Sequence, residues 1–349
     1  MAKLSRREFL RAVVTGFSAL TVQQLVSGCQ RLSPPATPTP TPSANPMTEP
    51  PPSATAASQM SPVPSETTQS KPTPSSTAGI PDLVVVRHGD PEEMVRRSLA
   101  ALGGLERFVP KGSRVVIKPN ICVAYHSYEY AATTNPWVVS ALVELALEAG
   151  ARSVRVMDSP FGGTPEEAYT RSGIAEQVQA AGGEMVAMKR FQYAATDIPE
   201  GISLHKARIY DEVLNADVLI DVPIAKHHNL ARLTLGMKNL MGTILDRSEI
   251  HRDLGQRLAD LHSRVRPQLT VVDAVRVLVN HGPTGGSLED VKQMDTIIAS
   301  ADLVAADSYA ATLFGLQPGD LGYIRAATEM GLGRSDLGGL RIEELVVGA

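Results

Sequence analysis

Short runs of apolar, mostly β-branched residues alternate with helical patterns from residue 83 to the end of the chain. The short runs have the length of buried strands, whereas in the longer segments apolar residues recur at helical spacing. This alternation predicts an α/β fold with a mostly parallel sheet flanked by helices. The predicted strands are 83–86, 115–117, 154–156, 218–220, 269–272, 296–298 and 345–347, and the predicted helices are 91–102, 136–149, 166–181, 253–265 and 303–314.

The first residues have the features of an export signal. Residues 5–11 read Ser-Arg-Arg-Glu-Phe-Leu-Arg and precede an apolar stretch over 12–26. They closely resemble a twin-arginine signal, which we assign to 1–28. The end of this segment, Leu-Val-Ser-Gly followed by Cys29, resembles a lipobox, in which the cysteine is acylated. The alternative is a free cysteine beside an ordinary cleavage site.

Composition changes sharply after Cys29. Thirteen of the fifty residues from 30 to 79 are Pro and eighteen are Ser or Thr. Such a segment cannot bury enough apolar surface to offset its ordering entropy, so we predict a disordered tether over 29–80. The α/β domain then occupies 81–349, either as one unit or as two subdomains. The expected partners are the twin-arginine export machinery and, through lipid on Cys29, the extracytoplasmic face of the cell membrane; the protein is either lipid-anchored there or released.

Charge and cysteine content exclude several classes of function. The 33 basic and 37 acidic residues give a net charge of −4, which argues against nucleic acid as a partner. Cys29 and Cys122 cannot supply the four thiolates of an iron–sulfur cluster. Cys122 is expected to be a buried small side chain rather than a nucleophile.

Polar side chains cluster where the predicted strands end. In open α/β sheets, ligands bind at the carboxyl ends of the strands, so these side chains are expected to share one crevice. They are Lys118 and Asn120, Asp158, Lys226 and His228, Lys238 and Asn239, and Asp273.

The order of several motifs resembles a known family. The motifs are Val-Ile-Lys-Pro-Asn at 116–120, Thr-Asn-Pro at 134–136, Glu-Ala-Gly at 148–150, Ala-Asp-Val-Leu-Ile at 216–220 followed by Lys226 and His228, Met-Lys-Asn-Leu-Met-Gly at 237–242, and Gly-Pro-Thr-Gly-Gly at 282–286. Through them the chain resembles, throughout 82–348, the family catalogued as domain of unknown function 362. Many members of that family carry an iron–sulfur module whose cysteines are missing here.

A more distant likeness of layout is to lactate racemase-like proteins. In those proteins a Pro-His pair precedes, by ten residues, a lysine that holds a nickel-pincer nucleotide, and His228 and Lys238 have this spacing. The sequence departs from that pattern at Leu235, which replaces one of two glycines, and at Asp158, where a second histidine should follow the strand. The resemblance therefore implies shared architecture rather than the same cofactor.

Three lysines could give the crevice a positive field. Lys118, Lys226 and Lys238 would attract a carboxylate or phosphate if they converged, and the helix beginning near Thr134 would aim backbone N–H groups at the same ligand. Alternatively, the lysines are solvated surface charges and Thr134 is only part of a cap. The predicted substrate-binding residues are Lys118, Asn120, Thr134, Lys226 and Asn239.

His228, Lys238 and Asp158 are the predicted catalytic residues. Histidine exchanges protons near neutral pH, so His228 is a candidate base or metal ligand, with a polar surface role as the alternative. His228, Asp158 and Asp273 could together bind a divalent metal ion, although no close ligand spacing supports this.

Two functions remain open from the sequence. One is an exported enzyme of isomerase or oxidoreductase type that acts on a small anion with a metal or a preloaded cofactor. The other is a non-catalytic surface lipoprotein that binds an anion or a metal. A strongly shifted pKa at His228 or Lys238 in a closed cleft would favour the enzyme.

Overall fold

The structure is a computed structural model that describes residues 79–348. The predicted signal segment 1–28, Cys29 and the tether up to residue 78 lie outside the described residues. Among the helices within 79–348, none is long and apolar enough to cross a membrane.

Twelve strands occur within residues 79–348: β1 Leu83–Arg87, β2 Arg114–Pro119, β3 Ser153–Val156, β4 Glu184–Met185, β5 Tyr193–Asp197, β6 Lys206–Tyr210, β7 Val218–Val222, β8 Ile224–His228, β9 Arg232–Thr234, β10 Leu269–Leu278, β11 Val291–Ser300 and β12 Ile342–Val346. Ten form one sheet, and β5 and β6 pair separately. Neighbours β4, β3, β2, β7 and β10 run parallel in that order. After β10 the sheet continues with β11, β1 and the edge strand β12. In this order of eight strands, only β11 is antiparallel to both of its neighbours, β10 and β1, and β12 is parallel to β1. Antiparallel β8 and β9 extend beside β10.

The helices cover both faces of this sheet and confirm the predicted α/β class. Alternate residues of β1 show the two faces: Leu83 and Val85 enter one core, and Val84 and Val86 enter the other. Because both faces are buried, β1 is apolar at every position from Leu83 to Val86 rather than alternating. The helices within 79–348 are α1 Pro91–Ala101, α2 Pro136–Glu148, α3 Pro165–Arg171, α4 Ile174–Ala180, α5 Asp211–Asn215, α6 Gly236–Asn239, α7 Leu254–Arg264, α8 Leu303–Thr312 and α9 Gly322–Glu329.

Helix starts follow local sequence signals. Asp90, Asn135 and Thr164 each accept a hydrogen bond from a backbone N–H of the helix that they precede, and each is followed by proline. An N-cap oxygen accepts a hydrogen bond from one of the free N–H groups of the first turn. Proline has no N–H group, but at the first helical position an N–H would have no partner within the helix. These caps fix where α1, α2 and α3 begin.

Two of the differences between the structure and the sequence prediction are a divided helix and an added hairpin. The predicted helix 166–181 is two helices, α3 and α4, separated by Gly173 at φ 80°, a left-handed conformation that favours glycine. The segment 224–234, predicted as a loop, forms the β8–β9 hairpin. This hairpin carries Lys226 and His228 beside the carboxyl ends of the parallel strands.

Candidate functional site

A cavity of about 380 Å³ lies at the carboxyl ends of β2 and β3, between the β8–β9 hairpin and α6. A cavity of this size suits a small molecule. Of the predicted site residues, it is lined by Lys118, Asn120, Asp158, Lys226, His228, Lys238 and Asn239. Thr134 and Asp273 do not line it.

Lys118 and Asp158 form a buried ion pair at the base of the cavity. Lys118 Nζ lies 2.8 Å from Asp158 Oδ1, and it also donates to Asn239 Oδ1 at 2.9 Å and to the carbonyl of Pro119 at 2.9 Å. Asp158 also accepts from the backbone N–H groups of Ile121 and Ser159. The three ammonium protons of Lys118 therefore all have acceptors. This lysine holds the residues at the base of the cavity in place and has no donor left for a ligand.

Two asparagines link the lysines of the site. Asn120 donates from Nδ2 to Asn239 Oδ1, and its own Oδ1 accepts from Lys226 Nζ, each at 2.9 Å. Lys226 is fully buried and also donates to the carbonyl of Ala132 at 2.6 Å. These bonds account for two of its three protons, so Lys226 retains one donor beside the cavity.

Thr134 and Asp273 support the site from behind. Thr134 Oγ1 accepts from the Asn120 N–H and donates to the carbonyl of Val222, both at 2.9 Å. Asp273 accepts from the N–H groups of Asn135 and Val275. Burial raises the pKa of Asp273 to about 6. Their contacts are with the backbone at the start of α2 and with the neighbouring strands rather than with the cavity.

Asp221 is a buried carboxyl next to the ion pair. It stands opposite Lys118 in the β2–β7 register and accepts from Asn239 Nδ2 at 2.8 Å. Its Oδ2 has no hydrogen-bond partner within the described residues. Burial raises the pKa of Asp221 well above its ordinary value, against the opposing effect of the Lys118 charge.

Lys238 differs from the other two lysines. Its side chain is only 7% exposed, yet within residues 79–348 the one polar contact of Nζ is with Met241 Sδ at 3.6 Å. Burial, and next the positive charge of Lys226, lower the pKa of Lys238 to about 8. Lys238 is thus a desolvated amine without a carboxylate partner in the described part of the chain.

His228 is held in one neutral tautomer. Its Nδ1 accepts from the N–H groups of Leu230 at 3.1 Å and Ala231 at 3.2 Å, which assigns the ring proton to Nε2. Burial first, and the charges of Lys238 and Lys226 next, lower the pKa of His228 to about 3. The ring can therefore offer an Nε2–H donor near neutral pH, but it is a poor base.

Three further lining residues were missed by the sequence predictions or given another role. Arg247 and His251 come from the 3-10 segment Arg247–Asp253, and the Arg247 guanidinium also donates to the carbonyl of Ser159. Cys122, expected to be a buried small side chain, is half-buried in the cavity wall. The position of Cys122, two residues after Asn120, could have indicated that it lies at the cavity. Arg247 and His251 belong to no recognised motif, so nothing in the sequence indicated their position.

The predicted metal ligands do not come together as a set. His228 and Asp158 line the cavity, but Asp273 does not. Within residues 79–348, no three His, Cys, Asp or Glu side chains are grouped so that they could hold a metal ion. Of the charged side chains within residues 79–348 that line the cavity, Lys118, Lys226, Lys238 and Arg247 are cationic and only Asp158 is anionic, which suits an anion.

Comparison with known proteins finds similarity to a curated protein and, more remotely, to solved structures. A thylakoid-associated protein of Synechocystis sp. is 27% identical over 247 residues, which span 68% of this chain and 74% of that protein. The lactate racemase apoprotein of Thermoanaerobacterium thermosaccharolyticum matches at 14% identity and a TM-score of 0.38, covering 61% of this chain. A Thermotoga maritima protein matches at 14% identity and a TM-score of 0.36, covering 65%. The matches span only 53% and 60% of those two structures.

The family model described as a domain of unknown function matches residues 115–312. This range contains every predicted catalytic and substrate-binding residue, and it extends over more than half of the chain. The chain therefore belongs to the DUF362 family.

Proposed function

We propose that this protein is an exported, membrane-tethered enzyme that acts on a small anionic substrate. The cavity supports the anion. Lys226, Lys238 and Arg247 line it, and the charge of Lys118 is balanced by Asp158. A carboxylate or phosphate entering this space would meet an excess of positive charge in a partly desolvated setting, where electrostatic attraction is strong.

The observation that carries the proposal is the environment of Lys238. Keeping an ammonium group almost fully buried without a carboxylate partner costs free energy, and such a cost is typical of functional sites. With a pKa of about 8, Lys238 can both release and accept a proton near neutral pH. We assign it the role of proton acceptor and donor, or of ligand for the substrate anion.

His228 and Asp158 take different roles from Lys238 in this proposal. The Nε2–H of His228 would donate to a substrate oxygen, as a neutral imidazole can. Asp158 would hold Lys118 and the loop after β2 in place. Proton transfer next to an anionic group is isomerase-type chemistry, and an oxidoreductase with a preloaded cofactor is the other reaction type that the same cavity could serve.

The shifted pKa values favour an enzyme over a surface binding protein. Both His228 and Lys238 depart strongly from their ordinary values, and both are nearly buried in the cavity wall. A protein that only captures an anion needs positive charge but has no need for an amine poised to exchange its proton. The binding lipoprotein thus remains the outcome to be expected if no chemistry is found.

The proposed location rests on the residues before 79. Arg6 and Arg7 followed by an apolar stretch, and then Cys29, support twin-arginine export and lipid attachment to the membrane. The name of the Synechocystis relative also associates that protein with a membrane. Twin-arginine export moves folded proteins, so it suits a cofactor acquired before export.

Oxalate binding tests the charge of the cavity. We expect oxalate to bind the full chain at pH 7, and its affinity to fall as the pH rises through about 8, because Lys238 loses its proton there. Titration calorimetry at several pH values measures this. Lys238→Met should remove both the pH dependence and most of the affinity, whereas Lys206→Met, at an exposed position, should change neither. Equal affinity in the two variants would rule out the assigned role of Lys238.

Cell fractionation followed by native mass spectrometry tests the location and the bound group. We expect the mature protein, beginning at an acylated Cys29, in the membrane fraction, with a metal or small molecule bound at about one equivalent. In D2O, exchange of a carbon-bound hydrogen of that molecule by the wild type but not by Lys238→Met would indicate proton-transfer catalysis. An empty protein in both the membrane and the cytoplasm would contradict the preloaded cofactor, and a bound molecule that never reacts would favour the binding lipoprotein.

A further inference from the structure

We infer that Lys238 forms an imine with a small anionic carbonyl compound of the 2-oxo acid class. This inference rests on the proposed function, in which the cavity takes a small anion. It adds a covalent step and a substrate class.

The three lysines of the cavity differ in whether their amine is free to attack. Lys118 Nζ donates to three oxygens and Lys226 Nζ to two, so both nitrogens are engaged with oxygen acceptors, even though burial also lowers the pKa of Lys226. Lys238 Nζ meets no oxygen acceptor within residues 79–348, only the thioether of Met241. An imine-forming lysine needs an unprotonated nitrogen without a competing acceptor, and of these three only Lys238 meets that condition.

The surroundings of Lys238 favour the free amine. Burial among apolar groups and the nearby charges of Lys226, Arg247 and Lys118 oppose its protonation, and the pKa of about 8 reflects this. Schiff-base lysines are activated in the same way, by desolvation and by a second cation.

Two of the same cations, Lys226 and Arg247, are available to bind the carboxylate end of the substrate. The third proton of Lys226 and the guanidinium of Arg247 would hold the carboxylate, and Nε2–H of His228 would donate to the carbonyl oxygen. A carbonyl next to a carboxylate would then be held by both ends, and its carbon would be accessible to Nζ. The presence of both cations and a neutral donor in one cavity is why a 2-oxo acid suits it better than a simple carboxylate.

The step balances without a further reactant. The neutral amine of Lys238 adds to the carbonyl carbon, a C=N bond replaces the C=O bond, and the carbonyl oxygen leaves as water with the two amine protons. No oxidation or reduction occurs. The imine nitrogen then takes up one proton from solvent, and the resulting cation withdraws electrons from the neighbouring carbon, which acidifies its C–H bond and suits isomerase-type proton transfer.

Reductive trapping with glyoxylate tests this inference. Glyoxylate is the smallest anionic aldehyde of the class, and cyanoborohydride converts its imine to a stable secondary amine. We expect the folded full chain to gain one adduct, located on Lys238 by peptide mapping. Lys238→Met should lose this adduct and Lys206→Met should keep it. Oxalate should slow modification of Lys238 and leave that of exposed lysines unchanged, because it competes for the cavity.

Other outcomes separate this inference from the proposed function. Adducts confined to exposed lysines, or an adduct on Lys238 that forms only in urea, would overturn the imine. If glyoxylate and oxalate still bind with an affinity that depends on Lys238, the anionic site stands without its covalent step. If neither anion binds, both proposals fail. An adduct on Lys238 that oxalate does not slow would also overturn the inference, since the aldehyde would then react without being bound.

Discussion

Replacing Asp158 with alanine is expected to lower the free energy of unfolding by about 3–5 kcal/mol, the usual loss when one partner of a buried ion pair is removed. The change leaves the ammonium group of Lys118, which is 1% exposed, without its counter-charge. It also removes the acceptor of the Ile121 and Ser159 N–H groups. Urea unfolding of the full chain at pH 7 measures the effect.

A second ion pair on the same strand gives a matched control. At the opposite end of β2, Arg114 pairs with Asp217 near the protein surface, where solvent weakens the interaction. Asp217→Ala should therefore cost several-fold less than Asp158→Ala. Similar losses in the two variants would contradict the importance that we give to the buried pair.

Gly242 allows the same pair to be disturbed without removing a charge. A Cβ atom at this position would lie 2.3 Å from Asp158 Oδ1 and 2.7 Å from Lys118 Nζ, closer than real contacts allow. Overpacking of this kind costs about 1–3 kcal/mol, so Gly242→Ala should be destabilising. Gly319, with nothing within 4 Å of such a Cβ, is the control, and Gly319→Ala should have little effect. Equal stability of both alanine variants would show that the pair tolerates displacement.

Much of the site could be predicted because it follows from strand order. β7, β2 and β3 are parallel neighbours, so Asp221, Lys118 and Asp158 at or just beyond their carboxyl ends must lie close together. Polar residues after β-branched runs were enough to predict Lys118 and Asp158. Asp221 was missed because it lies inside an apolar strand, where a single carboxyl resembles an ordinary core position.

Other parts depended on contacts that no local pattern encodes. The β8–β9 hairpin orients Lys226 and His228. The position of this hairpin depends on the pairing of β8 with β10, a strand that is distant in the sequence. Asp273 was predicted by the same strand-end rule as Asp158, yet β10 continues beyond it to Leu278, and its carboxyl accepts from the N–H of Asn135 rather than facing the cavity. Which strand-end side chains face a shared cavity depends on the packing of their neighbours, and spacing alone does not reveal it.

Lys238→Met is expected to stabilise the protein while abolishing its function. Burial lowers the pKa of Lys238 from 10.5 to about 8, and at about 1.4 kcal/mol per unit this corresponds to a cost of about 3 kcal/mol for the charged form. Methionine keeps an unbranched side chain beside Met241 and removes the charge. A gain of about 3 kcal/mol in the free energy of unfolding at pH 7, with loss of anion binding, would mark a residue retained for function rather than stability.

The pH dependence of this gain identifies its cause. Between pH 8 and 10.5 the unfolded chain holds a proton on Lys238 that the folded chain has released, so the stability of the wild type rises with pH in this window. The advantage of Lys238→Met should therefore be full below pH 8 and vanish towards pH 10.5. Urea unfolding of both proteins at pH 7, 9 and 10.5 measures the difference between their free energies of unfolding. The contributions of groups that titrate in the same way in both proteins cancel in this difference. A lower stability of Lys238→Met at pH 7, or an advantage that does not change with pH, would mean that the ammonium of Lys238 supports the fold, and its assignment as a functional amine would then fail.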